Sequence, residues 1–403
     1  MTTRGDVTTR IDAQELIDVS RQWTGLTDFG ELDPLKPLRI LVQSLNDEAC
    51  LTASGAAGKR ASLIRVLCNR LLLHDAFLRL PQIAEQHIVS PLVIVGLPRS
   101  GTTKLHRMIA ADPRMQKLPL WKLMYPVRAL PPEAGAAADD SDCGGVAPRI
   151  ALTQAFVDAL RTSNRGLFAA HPMLTLEPDE EYFAMEISFQ AQLNTSSFHT
   201  PSYQRWLDAQ PFDNWYIWLR KFLQYQQFVD QSAGQPWVLK APHHLAYLPL
   251  LFQYFPDATV IHCHREPIGA IASYCGLIQA ARRGTSYRDA PAEIGRYSLD
   301  TSVQRLYAYL QDRPRSEPEH RFVDLAYADI VADAPAAIQT CYEVAGLPLP
   351  AASLAAMRAW ESANAQHKHG QHRYDLQGFD LTEAEVVAAF RPYSGRFACF
   401  LHN

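Results

Sequence analysis

A glycine-containing turn between an apolar run and a helical pattern marks the first candidate site. Residues 91–97 are apolar and rich in β-branched side chains, as in a buried strand. After the turn, apolar residues recur at helical spacing at Leu105, Met108 and Ile109. In a strand–turn–helix unit, the loop N–H groups and the positive end of the helix dipole bind phosphate. The sequence therefore predicts an anion site in this loop.

The loop has the spacing of a nucleotide-hydrolase phosphate loop but lacks its lysine. Four residues separate Gly96 from Gly101, as in the Walker A motif, and Thr102 stands where that motif has lysine. The cation of this loop is Arg99, inside the turn. The pattern favours a phosphate site and disfavours ordinary ATP hydrolysis.

A second arginine follows another predicted strand. Arg265 comes directly after the β-branched run 258–264, and the helix that follows carries Ser273. A cation at a strand end and a hydroxyl about two turns into the next helix fit a second phosphate. The alternative is that Arg265 pairs with Glu266 or Asp257 and that Ser273 is merely tolerated in the helix.

Strand and helix patterns alternate along the second half of the chain, which predicts a P-loop-type α/β fold with a parallel sheet flanked by helices. In such sheets, ligands bind beyond the carboxyl ends of the strands. Lys240, Arg265 and the glycine-containing loop all come at such ends. The predicted strands are residues 91–97, 236–240, 258–264 and 321–325.

The domain organisation predicted from these patterns is a helical extension followed by one α/β domain. Residues 1–88 carry helical patterns at 13–23, 35–52 and 61–80, separated by breaks at 33–34 and 52–58. Their expected role is to cover one face of the core or to form a homo-oligomer contact. Residues 89–403 form the α/β domain, in which 120–235 are a helical insertion that shapes the acceptor pocket.

The composition excludes several classes of protein. With 403 residues, 47% hydrophobic and 20% charged, the chain has the composition of a globular protein, and its net charge of −4 predicts no nucleic-acid partner. Its seven cysteines contain no CxxC pair, which argues against a structural zinc site. No apolar signal core or run of about 18 apolar residues is present. We therefore expect a cytoplasmic protein without a membrane span.

Taken together, the two arginine sites resemble a known family. The sequence GLPRSGTT at 96–103, with Arg265 and Ser273 downstream, resembles the sulfotransferases that use 3′-phosphoadenosine-5′-phosphosulfate (PAPS). The resemblance implies that Arg265 and Ser273 bind the 3′-phosphate, that adenosine 3′,5′-bisphosphate is the product and that no metal is needed. It implies that the loop binds the 5′-phosphosulfate through Arg99, Ser100, Gly101, Thr102 and Thr103.

Two further segments resemble this family. Residues 239–245, LKAPHHL, are similar to the LK-x-P-x-H-L segment of its bacterial and tyrosylprotein-sulfotransferase-like branch, which implies that Lys240 contacts the donor near its bridging oxygen. Residues 326–330, AYADI, are similar to a Tyr-Glu-Asp-Leu segment and make Tyr327 a nucleotide contact. Ala328 stands where that segment usually has an acid.

The basic segment 367–374 comes where cytosolic sulfotransferases close a basic, glycine-containing loop over the nucleotide. This position implies that Lys368 and Arg373 contact the 3′-phosphate. A solvated loop between two helices is the equally weighted alternative. A metal site formed by the histidines of this segment is disfavoured, because neither a carboxylate nor a cysteine completes a regular ligand spacing.

The general base remains open between two groups of residues. His244 matches the histidine of the bacterial branch and is ranked first, with His243 beside it. Glu180 is the second candidate, since burial beside the aromatic segment would raise its pKa, and Glu181 is its neighbour. Negative charge at a helix N-terminus is the ordinary role for these glutamates. Lys122 stands where related enzymes often carry a glutamate, so the base must lie elsewhere or the chemistry is altered.

Aromatic side chains are dense from 198 to 228, and core packing is their usual role. If part of this segment lines a pocket, that pocket would suit an apolar or aromatic alcohol, such as a lipid, sterol, phenol or polyketide hydroxyl. We predict sulfuryl transfer from PAPS to a hydroxyl or amine of a small-molecule or lipid acceptor by in-line displacement, with Lys240 and one base. The alternatives are a small-molecule kinase and a non-catalytic nucleotide-binding protein.

Overall fold

The computed structural model describes residues 10–127, 145–315, 319–364 and 375–401. Lys368 and Arg373 lie outside the described residues, so their contact with the 3′-phosphate stays a prediction. Among the described helices, none is both long and apolar enough to cross a membrane.

The centre of the fold is a four-stranded parallel sheet in the order β2-β1-β3-β4. Ile94 of β1 pairs with Lys240 of β2 on one side and with Ile261 of β3 on the other. Since all strands run in the same direction, their carboxyl ends meet at one edge of the sheet, which confirms the predicted fold class. The strands are β1 Leu92–Gly96, β2 Val238–Lys240, β3 Thr259–His264 and β4 Phe322–Ala326.

Helices surround this sheet and build most of the remaining described structure. The α-helices are α1 Ala13–Thr24, α2 Leu35–Glu48, α3 Ala53–Arg79, α4 Thr102–Ile109, α5 Leu120–Met124, α6 Val146–Ser163, α7 Arg165–Ala170, α8 Leu193–Ser197, α9 Pro201–Asp208, α10 Asp213–Asp230, α11 Leu248–Tyr254, α12 Pro267–Arg283, α13 Pro291–Asp312, α14 Tyr327–Ala332, α15 Ala334–Val344, α16 Ala351–Ala363, α17 Glu383–Ala389 and α18 Arg391–Arg396. The longest 3₁₀ segment is Glu181–Ser188, and another, Pro242–Ala246, follows β2.

Helix α3 begins earlier than its sequence pattern indicates, so the predicted break at 52–58 is wrong. Thr52 caps this helix by accepting the N–H of Gly55 through its hydroxyl. A Cβ atom at Gly55 would lie 2.1 Å from the carbonyl oxygen of Thr285. The glycine that suggested a break is therefore a helical residue that allows close packing.

The N-terminal helices share their core with the rest of the chain. Leu16, Leu38 and Leu67 belong to the same buried apolar cluster as Val93 of the sheet and Trp218 of α10. This packing agrees with the covering role expected for the N-terminal helices. The boundary between residues 88 and 89 stays a prediction.

Candidate active site

Glycines and one strained arginine shape the loop between β1 and α4. Gly96 has φ of 155°, and a Cβ atom there would lie 2.5 Å from Ser100 Oγ and 2.7 Å from Cys263 O. Arg99 and Gly101 follow with φ of 72° and 86°, a region that non-glycine residues seldom adopt. The loop therefore curls directly in front of the N-terminus of α4, the geometry that suits an anion.

Ser100 stabilises the loop from inside. Its side chain is buried, and its Oγ donates a hydrogen bond of 2.7 Å to the carbonyl oxygen of Leu97. Its hydroxyl thus closes the turn, and the predicted contact of Ser100 with the donor stays a prediction. Its neighbours Arg99, Gly101, Thr102 and Thr103 line the adjacent cavity.

The two predicted phosphate-binding arginines are linked through this loop. Arg265 donates a hydrogen bond of 2.7 Å to the carbonyl oxygen of Arg99, and its guanidinium lies 4.5 Å from the centre of the Tyr327 ring. Arg99 in turn donates to the carbonyl oxygen of Ala170 at 2.7 Å. Arg99, Arg265 and Tyr327 therefore lie on one wall of the cavity.

The alternative partners of Arg265 have other roles. Glu266 caps α12 by accepting the N–H groups of Ile268 and Gly269. Asp257 accepts the N–H of Ser90. Ser273 is partly buried in α12 and is not among the cavity-lining residues, so its contact with the 3′-phosphate stays a prediction.

Lys240 ends β2 and lies beneath the cavity floor. It is 1% exposed, and its ammonium forms an ion pair with Glu180 and donates to Thr103 Oγ1 at 3.4 Å. Glu180 and Thr103 both line the cavity. The structure thus places Lys240 beside the first turn of α4, in agreement with the strand-end argument, and adds the carboxylate of Glu180.

His244 lies outside the cavity. It is 0% exposed, and its Nδ1 and Nε2 lie 2.8 Å from the Tyr216 hydroxyl and from Glu181 Oε1, respectively. Both ring nitrogens are therefore engaged in the core, and this geometry disfavours His244, which was ranked first as general base. Glu181 links His244 to the active site, since its other oxygen accepts the N–H of Lys240 at 2.8 Å.

The buried Glu181 carboxylate should make folding stability depend on pH. Burial opposes its ionisation, but the hydrogen bonds from His244 and the Lys240 N–H outweigh burial and hold its pKa below the ordinary value of 4.5. A carboxyl whose pKa is lower in the folded state stabilises the fold above its unfolded pKa and loses this contribution as pH falls. We expect Glu181→Gln to lower the free energy of unfolding at pH 7 by about 1–3 kcal/mol.

The measurement is urea denaturation of wild type and variant at pH values from 7 downward. The difference between them should shrink as pH drops below 4.5, the ordinary value for this carboxyl. Glu85→Gln is the matched control, because Glu85 is exposed, and should change stability little at any pH. A Glu181→Gln difference that stays constant across this range would contradict the assignment.

A histidine that sequence analysis did not single out faces the cavity. His171 directly follows α7 and lines the cavity, and its Nε2 lies 3.2 Å from Asp179 Oδ1. Asp179 is 3% exposed; burial opposes its ionisation, yet the charges of His171, Lys240 and Arg107 hold its pKa well below its ordinary range. In its neutral form, His171 would donate its Nε2–H to Asp179 and keep Nδ1 as a proton acceptor.

Arg107 of α4 fixes the segment that carries His171 and Glu180. Its guanidinium donates to the carbonyl oxygens of Pro172 at 3.0 Å and Pro178 at 3.3 Å. The helix behind the phosphate loop therefore also holds the segment that faces it. The only sequence signal for His171 was its position upstream of the acidic patch at 177–181.

His243, the other histidine predicted as a candidate for the base, has a structural role in the cavity wall. His243 lines the cavity, but burial and the positive charge of Arg305 hold its pKa well below its ordinary value. Its Nε2 lies 3.0 Å from Arg305 NH2 and its ring stacks on Tyr182 at 4.2 Å, so it forms a neutral part of the wall.

Lys122, which stands where related enzymes often carry a glutamate, forms an ion pair with Asp230 and is not among the lining residues.

One cavity of about 780 Å³ connects these groups to an apolar slot. Its walls come mainly from α3, α6, α12 and the 3₁₀ segment Glu181–Ser188. Of the aromatic residues at 198–228, only Phe198 is among the described lining residues, and Trp215, Tyr216 and Phe222 are core. Core packing, the usual role expected for this segment, therefore describes most of its aromatic side chains.

The described residues contain one group with a geometry that could hold a metal ion, His262, His264 and Asp324. His264 already contacts Asp324 Oδ1 at 2.8 Å and the Tyr393 hydroxyl at 3.0 Å. Arg313 donates to both oxygens of Asp324, at 2.7 and 2.8 Å. A guanidinium therefore supplies the positive charge beside this carboxylate. The expectation of a metal-free enzyme stays a prediction.

Comparison with known proteins agrees with this geometry. A protein-family model described as "Sulfotransferase family" matches residues 91–351. The chain belongs to the sulfotransferase family. This finding confirms the predicted family and enzyme class, and it does not support the kinase and non-catalytic alternatives.

Relatives of this sulfotransferase include two solved structures. The crystal structure of sulfotransferase STF1 from Mycobacterium tuberculosis H37Rv superposes with a TM-score of 0.79 at 30% identity, covering 96% of this chain and all of that one. STF9 from Mycobacterium avium superposes with a TM-score of 0.83 at 24% identity, covering 98% of both chains. The omega-hydroxy-beta-dihydromenaquinone-9 sulfotransferase Stf3 of Mycobacterium bovis is 24% identical over 301 residues, 73% of each chain.

Proposed function

We propose that this sulfotransferase transfers a sulfuryl group from PAPS to a hydroxyl of an elongated, apolar acceptor. The observation that carries the proposal is the continuity of one cavity, which joins the arginines of the loop to an apolar slot. A doubly phosphorylated donor fits the first part, and a lipid-like alcohol fits the second.

The residues at the sheet edge fit the donor. The positive φ values at Arg99 and Gly101 turn the loop toward the N-terminus of α4, where N–H groups and the Arg99 guanidinium would hold the 5′-phosphosulfate. Arg265, whose guanidinium lies over Tyr327, would hold the 3′-phosphate. PAPS supplies a sulfonate attached to a phosphate leaving group.

In this proposal, Lys240 stabilises the leaving phosphate and His171 takes the proton of the acceptor. The sulfur–oxygen bond to the phosphate breaks as the acceptor oxygen bonds to sulfur, and negative charge develops on the leaving phosphate. The Lys240 ammonium, held beside Thr103 and Glu180, would stabilise this charge. His171 Nδ1 would take the acceptor proton, and Asp179 would stabilise the resulting imidazolium.

Glu180 is the second candidate for the base, because its carboxylate also lines the cavity. Its ion pair with Lys240 favours a positioning role, since the carboxylate is already neutralised by the ammonium. His171 instead contacts Asp179 through Nε2, which would leave Nδ1 to take the acceptor proton.

The apolar slot supports an acceptor with a hydrocarbon body. Met124, Phe156, Leu160, Phe183 and Ile278 line it beyond the loop. The relative Stf3 is named for omega-hydroxy-beta-dihydromenaquinone-9, a hydroxylated lipid quinone, which supports an acceptor of lipid character.

The role of Arg265 gives a test of the donor. We expect Arg265→Ala to weaken binding of adenosine 3′,5′-bisphosphate about ten- to hundredfold, the range for a lost hydrogen bond to a charged group. Binding of adenosine 5′-monophosphate, which lacks the 3′-phosphate, should weaken far less. Isothermal titration calorimetry measures both affinities.

Arg321→Ala serves as the control, because this arginine donates to the Pro256 carbonyl oxygen at the opposite end of β3 from the loop. It should leave both affinities unchanged. Equal losses for the two nucleotides in Arg265→Ala would remove Arg265 from the 3′-phosphate role. Tighter binding of Mg-ATP than of adenosine 3′,5′-bisphosphate by the wild type would contradict the donor itself.

A further inference from the structure

Three side chains form a row along one wall of the cavity. Side chains three residues apart eclipse each other in a 3₁₀ segment. Glu180 directly precedes the 3₁₀ segment Glu181–Ser188, and Phe183 and Glu186 follow it at this spacing. All three line the cavity. At a rise of about 2 Å per residue, Glu186 lies about 12 Å beyond Glu180. The wall therefore has a polar group at the reacting end, an apolar middle and a second polar group.

Two cations from the N-terminal extension surround Glu186. Arg65 NH2 lies 3.1 Å from Glu186 Oε2, and Lys59 Nζ lies 3.8 Å from its Oε1. The lysine is 6% exposed and the glutamate 5%. All three line the cavity. With two cations and one anion, this group has an excess of positive charge where the slot is otherwise apolar.

The Lys59 ammonium has hydrogen-bonding capacity to spare. It has three N–H donors, and its one hydrogen bond to a described residue goes to Asn194 Oδ1 at 2.6 Å. A buried donor without an acceptor costs free energy, so a ligand oxygen is favoured at this position. Burial lowers the pKa of Lys59, partly opposed by Glu186, which is consistent with a poorly solvated ammonium.

Building on the proposed function, we propose that the acceptor carries a second oxygen, a carbonyl or carboxylate, about 12 Å from its reacting hydroxyl, and that Lys59 binds this oxygen. An apolar spacer along Phe183 connects the two ends. The acceptor is thus an elongated molecule with an oxygen-bearing group at each end.

A second part of the cavity wall fits an extended spacer. Tyr274, Leu277, Ile278 and Ala281 of α12 recur at helical spacing and line the cavity along one face of the helix. From Tyr274 to Ala281 this face spans about 10 Å at 1.5 Å per residue. The length of apolar wall is thus similar to the distance between the two polar groups.

Three ligands of one chain length test the proposal: 1-decanol, methyl 10-hydroxydecanoate and 10-hydroxydecanoic acid. Calorimetry on the full chain, saturated with adenosine 3′,5′-bisphosphate, measures their affinities. At least one of the two ligands with a second oxygen should bind about ten- to hundredfold more tightly than 1-decanol, as expected for hydrogen bonds to a charged group. Tighter binding of the acid identifies a carboxylate, and tighter binding of the ester identifies a neutral carbonyl.

Lys59→Met should abolish this preference. Lys221→Met is the matched control, because Lys221 packs over the Trp218 ring outside the cavity, and should retain the preference. Lys59→Gln keeps an N–H donor and provides a second variant with a polar side chain should the methionine variant fail to fold. It should lose any preference for the acid.

Equal affinities of all three ligands in the wild type would overturn the proposal, as would a preference that survives in Lys59→Met. Failure of all three to bind would overturn it as well. Transfer from PAPS to 1-decanol is measured separately, since it does not depend on a second oxygen. Loss of transfer with the binding preference intact would contradict the proposed reaction and leave the Lys59 contact supported.

Discussion

Lys240→Met is expected to lower kcat by about 10²–10³, the range for loss of one group that stabilises transition-state charge. Lys240 carries its ammonium beside the first turn of α4 and in an ion pair with Glu180. The methionine side chain fills similar volume but leaves the developing charge on the leaving phosphate without this cation. Single-turnover transfer from PAPS to 1-decanol measures the effect directly.

Affinity for adenosine 3′,5′-bisphosphate should change much less than kcat in Lys240→Met, because the arginine contacts remain. Lys117→Met is the control, since this lysine is partly buried and donates to the Ala110 carbonyl oxygen away from the cavity. It should keep full turnover. A Lys240→Met enzyme with near-normal kcat would show that another group carries the charge.

His171→Gln should lower kcat by about 10²–10⁴, as expected for removal of a general base. Glutamine retains an N–H that could donate to Asp179, but it has no basic nitrogen to take the acceptor proton. Asp179→Asn should lower kcat less, because it disturbs the orientation and charge of the imidazole and leaves it in place. Steady-state rates across pH, with PAPS saturating, measure the loss and the change in the pH profile.

Glu180→Gln separates the two candidates for the base. If Glu180 mainly holds Lys240, this variant should lose less activity than His171→Gln and keep the pH dependence of the wild type. His320→Gln is the control, because His320 is exposed and lies outside the cavity. A larger loss in Glu180→Gln, with a flattened pH profile, would assign the base to Glu180.

The sequence alone predicted the sheet and the basic residues at its carboxyl edge, because both follow from patterns among neighbouring residues. A buried β-branched run followed by a turn fixes where a strand ends, and parallel strands must end at a common edge. Arg99 and Arg265 consequently lie together in the structure, linked by a hydrogen bond of 2.7 Å. The same argument predicted that Lys240, which ends β2, lies at this edge.

The direction in which a side chain points was harder to predict. His244 and Glu180 were both predicted as candidates for the base, yet one is enclosed by Tyr216 and Glu181 while the other lines the cavity. This difference depends on the 3₁₀ geometry around each residue and on long-range packing. Periodicity in the sequence carries little information about either.

Residues contributed by distant segments were missed for a related reason. Lys59 lies in the N-terminal extension, which was expected to cover the core, and its position beside Asn194 and Glu186 comes from tertiary packing. His171 is fixed by Asp179 across a loop whose shape depends on hydrogen bonds from Arg107. A single sequence contains no periodic signal for such contacts.

The most direct test of the central claim is a transfer assay with purified protein, ³⁵S-labelled PAPS and 1-decanol, methyl 10-hydroxydecanoate and 10-hydroxydecanoic acid. We expect a labelled sulfate ester of at least one alcohol, formed in a one-to-one ratio with adenosine 3′,5′-bisphosphate. Lys240→Met and His171→Gln should form far less of it, and Lys117→Met should match the wild type. Label that stays in PAPS, or is released only as inorganic sulfate, would contradict sulfuryl transfer to an apolar alcohol by this protein.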